Sequence, residues 1–180
     1  SGLSAYRVQV TGQVQGVGFR PFVHRLALRH GLGGWVRNES GAVEIEVEGG
    51  AAELAGFLRS LELEAPPLAR IERVWSQPCP PQGNGGFSIL GSLVQEDRRG
   101  PVPPDTALCG ACEAELLDPA NRRHRYPFIT CTDCGPRFTI IEALPYDRER
   151  TSMRAFAQCH ECLREYHDPR DRRYRSETNS

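Results

Sequence analysis

The sequence predicts an α+β chain in two unlike parts: a β-α-β-β-α-β domain over residues 1–91 and a small zinc-held domain over 107–180, joined by a linker at 92–106. Three observations carry this. Apolar residues in the first part alternate with period two in some stretches and recur at helical spacing in others. Near residue 91 the composition changes, as aliphatic residues give way to cysteine and arginine. Six of the seven cysteines, finally, fall in three Cys-x-x-Cys pairs, all in the second part. A chain of 180 residues holds one or two small domains.

Tyr6, Val8 and Val10 alternate with Arg7, Gln9 and Thr11, the pattern of a half-buried strand. A glycine-rich stretch from Gly12 to Gly18 follows. From Phe19 the period changes: Phe19, Phe22, Val23, Leu26, Ala27 and His30 share a helical face. Pro21 is tolerated in the first turn, and Gly31 ends the helix. Trp35–Asn38 and Val43–Glu48 read as strands joined by a hairpin turn at Glu39-Ser40-Gly41. Val43, Ile45 and Val47 take one face of the second strand and three glutamates the other. Leu54, Phe57, Leu58 and Leu61 mark a second amphipathic helix. Ile71–Trp75 is a poorer strand, because alternation breaks at Val74-Trp75, and Phe87–Leu90 closes the domain. This order is the ferredoxin-like arrangement, expected as one antiparallel sheet carrying both helices on one face. About ninety residues can bury such a core. His24 and His30 read as partly buried structural residues.

That fold says little about activity; its first loop says more. Gln15, Gly16, Val17, Gly18 and Phe19 lie between a strand and a helix start, so their backbone N–H groups can turn inward as an anion nest. Arg20 follows, and its planar fork suits phosphate oxygens. The alternative is a tight turn with Arg20 solvated.

In the second part, Cys109-x₂-Cys112-x₁₈-Cys131-x₂-Cys134 has the spacing of a tetrahedral Cys₄ structural zinc site. Cys159 and Cys162 have no fourth pair before Ser180, so the chain reads as cut through a second zinc site. His124, His160 and His167 are expected non-ligands, with His167 the one placed to substitute for a missing ligand. Beyond the cysteine pairs no internal repeat is expected. The competing reading, a disulfide framework, belongs to short secreted chains. Ser1-Gly2-Leu3-Ser4 shows no basic or apolar leader, and no apolar run approaches the ~20 residues that span a membrane. Reduced thiols and a cytoplasmic setting are therefore expected, with Cys79 a spare loop thiol. All 22 basic residues are arginine, which excludes lysine Schiff-base or P-loop chemistry. From Asp105 onward few Leu, Ile or Val remain, so metal must supply cohesion there.

The run Gly12-Gln13-Val14-Gln15-Gly16-Val17-Gly18-Phe19-Arg20 resembles the signature of acylphosphatases, and Gly34-Trp35-Val36-Arg37-Asn38 is similar to their second motif. The resemblance implies that the loop amides and Arg20 hold the phosphate of an acyl phosphate while Asn38 positions the attacking water. The phosphate itself then accepts the proton, so orientation and charge stabilisation carry the rate. Such a domain followed by these cysteine pairs resembles the hydrogenase maturation carbamoyltransferases, the HypF family. Supporting motifs are Tyr126-Pro127-Phe128-Ile129, Cys134-Gly135-Pro136-Arg137-Phe138-Thr139-Ile140-Ile141, Leu144-Pro145-Tyr146-Asp147-Arg148 and Asp168-Pro169-Arg170-Asp171-Arg172-Arg173. This implies that carbamoyl phosphate is cleaved at the acylphosphatase domain. The carbamate is then adenylated with ATP in a domain beyond these residues and transferred to the partner HypE, supplying cyanide ligands for the iron of [NiFe]-hydrogenase. The chain alone is expected to perform at most the first step. Two other readings stand beside it: a general acylphosphatase with a zinc ribbon, and a nucleic-acid- or protein-binding zinc ribbon using Arg122-Arg123-His124-Arg125 and Arg170–Arg175. From Asp105 to Ser180 there are 12 arginines against 13 acids, so a solvated face or an interdomain contact is the better fate for those arginines. Neither nucleic acid nor membrane is expected as a partner.

Overall fold

A computed structural model describes residues 2–39, 41–93 and 104–179. Of the expected linker, residues 94–103 lie outside the described residues, as does Ser40 of the expected hairpin turn. In the first half run β1 (Ser4–Gln13), α1 (Phe19–Arg29), β2 (Gly33–Glu39), β3 (Ala42–Gly49), α2 (Ala51–Leu63), β4 (Arg70–Cys79) and β5 (Phe87–Ile89). The strands form one sheet in the order β4-β1-β3-β2-β5. Val8 pairs with Ile45 and Val10 with Val43, so the period-two apolar residues of β1 and β3 share one face. There they join Phe19, Val23 and Leu26 of α1 and Leu54, Phe57 and Leu61 of α2 in a closed core.

The other face of β3 is also buried. Glu44 receives Arg37 at 2.5 and 2.8 Å, and Glu46 receives Arg7 at 2.5 Å. Arg37 also stacks over Trp35, 4.6 Å from its ring centre. Glu48 accepts the backbone N–H groups of Gln82, Gly83 and Asn84.

That last contact explains a departure from the expected all-antiparallel sheet. The chain leaves β4 at the end of the sheet where β2 begins. Glu48 pins the crossing segment against that end, and Gly34 N–H bonds to Gly86 C=O at 2.9 Å. The next strand must therefore rise in the same direction as β2, and β5 pairs with it in parallel from Gly34↔Phe87 to Val36↔Ile89. β4 itself spans ten residues, twice the expected length, and most of its side chains are exposed. An edge strand with little to bury has little reason to alternate. Cys79 is its last residue, paired with Ala5 in the ladder rather than lying in a loop.

The second half contains α3 (Gly110–Leu117), α4 (His160–His167) and single 3₁₀ turns at 138–140, 148–150 and 152–155. Its apolar core is thin, as the composition requires: Ile129 with Cys112, Cys131 and Cys134. Contrary to expectation, it holds an internal repeat. At a constant offset of fifty positions, Cys109, Cys112, Glu115, Asp118, Arg122 and Arg123 correspond to Cys159, Cys162, Glu165, Asp168, Arg172 and Arg173. The backbone repeats as well. Arg125 N–H bonds to Leu116 C=O and Arg175 N–H to Tyr166 C=O, and both arginines are left-handed, at φ 58° and 53°.

Candidate functional site

The glycine loop enters α1 through Gly18, which caps the helix in the left-handed conformation (φ 74°, ψ 16°). A Cβ there would meet the Thr132 carbonyl oxygen at 2.6 Å, so both backbone angle and close approach require glycine. Among the described residues, the backbone N–H groups of residues 15–20 have no hydrogen-bond acceptor. They form the positive end of α1 and face an anion-sized task with no protein group performing it. The side chains of the same loop serve other ends. Val17 and Phe19 are core residues. Gln15 is a strut: Nε2 donates to the carbonyls of Glu39 (2.7 Å) and Ala42 (3.0 Å), and Oε1 accepts from Tyr146 N–H (3.2 Å).

Arg20 is buried, not solvated, with 7% of its surface exposed. Its Nη1 donates to Asp147 Oδ1 at 2.9 Å and Ser92 Oγ at 3.4 Å. Its Nη2 donates to the Tyr146 carbonyl at 3.0 Å and Glu177 Oε1 at 3.2 Å. Nε, the fifth N–H, has no acceptor among the described residues. Asn38, near the end of β2, is also buried, and its Nδ2 donates to the same Tyr146 carbonyl at 3.1 Å. Its Oδ1 has no partner among the described residues. One oxygen atom thus receives hydrogen bonds from both residues that the motifs single out. Beside it lies a cavity of about 30 Å³, walled by Gly16, Gly18, Arg20 and Asn38 from the first half and by Thr132, Tyr146, Arg175 and Glu177 from the second. A neighbouring cleft of about 460 Å³ shares Arg20, Arg175 and Glu177.

Two carboxylates therefore face one guanidinium. Burial raises the Glu177 pKa above the ordinary carboxylate value; Arg20 opposes the rise and Asp147 adds to it. Motif reasoning marked Leu144–Arg148 without assigning it a contact. The roles of Tyr146, Asp147 and Glu177 at Arg20 were not legible, because a polar contact between distant residues leaves no periodic trace.

The four sulfurs of Cys109, Cys112, Cys131 and Cys134 all lie within 4.8 Å of one another. Contacts of 3.6, 3.8 and 3.9 Å run between them. A tetrahedral zinc with Zn–S bonds of about 2.3 Å sets its sulfurs about 3.8 Å apart, so the donors fit that ion. Contact with the Cys112 and Cys131 sulfurs pushes the Cys134 thiol toward thiolate. Among the described residues no histidine joins this cluster. Cys159 and Cys162 stand apart, 3.4 Å from each other.

The basic clusters contact the cysteine pairs, and they do so reciprocally. Arg172 of the second repeat donates to Cys112 Sγ at 3.0 Å and Cys109 Sγ at 3.8 Å. Arg122 of the first donates to Cys162 Sγ at 3.2 and 3.3 Å and Cys159 Sγ at 3.8 Å. Glu115 holds Arg172 and Arg173 at 2.7 and 2.5 Å, while Glu165 holds Arg122 and Arg123 at 2.9 and 2.5 Å. Burial would raise the Glu165 pKa, but its arginine partners more than offset this and bring it down to about 2.

Comparison with known proteins agrees with both halves. Residues 6–89 match the acylphosphatase family, and residues 108–141 and 159–180 match the HypF finger, the two segments coinciding with the two repeats. A carbamoyltransferase HypF of Rhodobacter capsulatus is 46% identical over 179 residues, covering 97% of this chain and 23% of the relative. An acylphosphatase of a Nocardioides species is 44% identical over 87 residues, which is 87% of its length. The crystal structure of full-length HypF in the phosphate- and nucleotide-bound form superposes with a TM-score of 0.92 at 44% identity, covering 98% of this chain and 23% of that one. That of T. kodakarensis HypF gives 0.83 at 48% identity, covering 98% and 22%. The chain thus spans about a fifth of the length of the carbamoyltransferases it matches.

Proposed function

The chain belongs to the acylphosphatase family over its first half and combines that domain with the finger of the HypF carbamoyltransferases, and from this we propose that it hydrolyses carbamoyl phosphate to carbamate and inorganic phosphate. The observation that carries the reading is the convergence of Arg20 and Asn38 on one oxygen beside a loop of unclaimed amides. The phosphate enters the nest at residues 15–20, where N–H groups and the Arg20 fork receive its oxygens. One oxygen of the reacting pair takes over the hydrogen bonds now received by the Tyr146 carbonyl. Asn38 orients water for attack, and the phosphate accepts the proton that water gives up. No strong base is needed, because position and charge lower the barrier.

Cys109, Cys112, Cys131 and Cys134 would hold zinc as a structural ion that joins the second half together, with Cys159 and Cys162 contributing half of a second site. In the HypF setting the carbamate passes to an ATP-dependent step outside these residues and the carbamoyl group then to HypE. The expected setting is the cytoplasm; among the described residues no helix is long and apolar enough to cross a membrane.

Phosphate release from carbamoyl phosphate, compared with acetyl and benzoyl phosphate, tests the reading. Release that disappears in Arg20→Ala, and is not rescued by Arg20→Lys, supports it, because a point charge cannot replace the fork. A fully active Arg20→Ala protein overturns it. A preference for the other acyl phosphates favours a general acylphosphatase.

A further inference from the structure

We infer that Arg175, carried by the second finger repeat, is a phosphate-binding residue of the acylphosphatase site, so that the substrate seat is completed by the zinc-held half of the chain. The inference rests on the acyl-phosphate reading and adds a cationic ligand from outside the acylphosphatase domain.

Four observations support it. Arg175 lines the small cavity together with Gly16, Gly18, Arg20 and Asn38, and it lines the adjoining cleft as well, so it stands where the two meet. Unlike arginines 122, 123, 150, 154, 170, 172 and 173, and like the second half's Arg125, Arg137 and Arg164, Arg175 pairs with no carboxylate among the described residues, and its Nε is buried without a hydrogen-bond partner. The guanidinium is nevertheless held in place, over the rings of Tyr166 at 5.2 Å and Tyr174 at 5.9 Å. Cation–π contact fixes an arginine without cancelling its charge. Tyr174 in turn packs against His24 at 5.2 Å, one helical turn beyond Arg20 on α1, which ties this seat to the glycine loop.

The fourth observation is a comparison internal to the chain. Arg125 occupies the equivalent place in the first repeat, with the same left-handed backbone, yet its side chain is exposed. Leu116 and His124 stand there in place of Tyr166 and Tyr174. The turn is common to both repeats; the aromatic seat is confined to the one that faces the loop. Charge gives it a purpose. Asp147 and Glu177 occupy donors of Arg20, and Arg175 can present N–H groups to the phosphate oxygens that Arg20 leaves.

The test uses the zinc-loaded 1–180 chain, with inorganic phosphate measured by isothermal titration and carbamoyl phosphate by phosphate release. Arg175→Gln should weaken phosphate binding about tenfold or more and raise KM more than it lowers kcat. Arg175→Met, which keeps a long unbranched side chain and removes the charge, should do the same. Arg125→Gln should leave both quantities as they are. Zinc content and thermal unfolding identify the variants that retain the fold, and either neutral Arg175 variant that does so decides the matter. A dissociation constant within twofold of wild type in such a variant, while Arg20→Ala has lost binding, overturns the role of Arg175 and leaves the acyl-phosphate reading intact. A wild-type chain that neither binds phosphate nor cleaves any acyl phosphate overturns both.

Discussion

Asn38 is buried, gives one hydrogen bond to a backbone carbonyl and keeps Oδ1 unpartnered among the described residues. That arrangement suits a group whose second bond forms only with a reacting molecule. Asn38→Ala should therefore lower kcat by about 10²–10³ while phosphate affinity stays within a few-fold, as read from kinetics and phosphate titration. A large loss of affinity with kcat retained would make Asn38 a phosphate ligand instead. Glu177 makes a different prediction. Burial, with Asp147 adding to it, raises its pKa in the folded chain, so folding favours the protonated form. The associated stability is complete below the ordinary value near 4.5 and is lost as pH rises through the raised value. Glu177→Gln keeps that protonated shape at every pH. Its melting temperature, followed from pH 4 upward, should gain on wild type as pH rises; parallel curves would show that Glu177 ionises without cost. Glu165 has the opposite sign. With its pKa near 2, it contributes stability above 4.5 that fades as pH falls toward 2.

At the scale of elements, the reciprocal arginines matter most. Arg172 lies on the sulfurs of Cys109 and Cys112, and a hydrogen bond to a coordinating thiolate offsets charge at the metal. Arg172→Ala should weaken zinc at the four-cysteine site about 10–100-fold in competition with a chromophoric chelator, and an unchanged affinity would reduce the contact to packing. How far these elements were legible depends on what holds each one. β1, α1, β3 and α2 are held by burial, and their apolar period stands in the sequence. The direction of β5 is set by three N–H groups on Glu48 and by where β4 ends, neither of which has a period. The repeat was missed because it survives in cysteines, arginines and acids that contact the other copy, while most apolar positions differ. At the site, Arg20 and Asn38 could be found from short motifs. Arg175, Tyr146, Asp147 and Glu177 could not, since they reach the loop only once the second half has folded onto it.

For the molecule as a whole, the two halves rely on different cohesion. The first has a closed apolar core; the second has Ile129 among cysteines. Removing metal with a chelator should therefore raise hydrogen exchange across residues 104–179 and in the loop at 15–20 that Thr132 and Gly135 cover, while amides of β1 and β3 stay protected. Phosphate binding should weaken in step. Simultaneous loss of protection in β1 and β3 would mean that the halves unfold as one unit. The exchange of arginines between the repeats has one further consequence. Each repeat lends its arginine pair to the other's glutamate and cysteines, which is the self-complementary contact that two identical subunits make about a two-fold axis. The second half of the chain is built as a homodimer would be, with its two subunits in a single polypeptide. In a true homodimer both copies must carry the same side chains. Covalent joining lifts that constraint, so the symmetry holds at the shared centre, where the arginines cross, and is broken at the rim, where Tyr166 and Tyr174 carry Arg175 on one side and a leucine and a histidine take their places on the other.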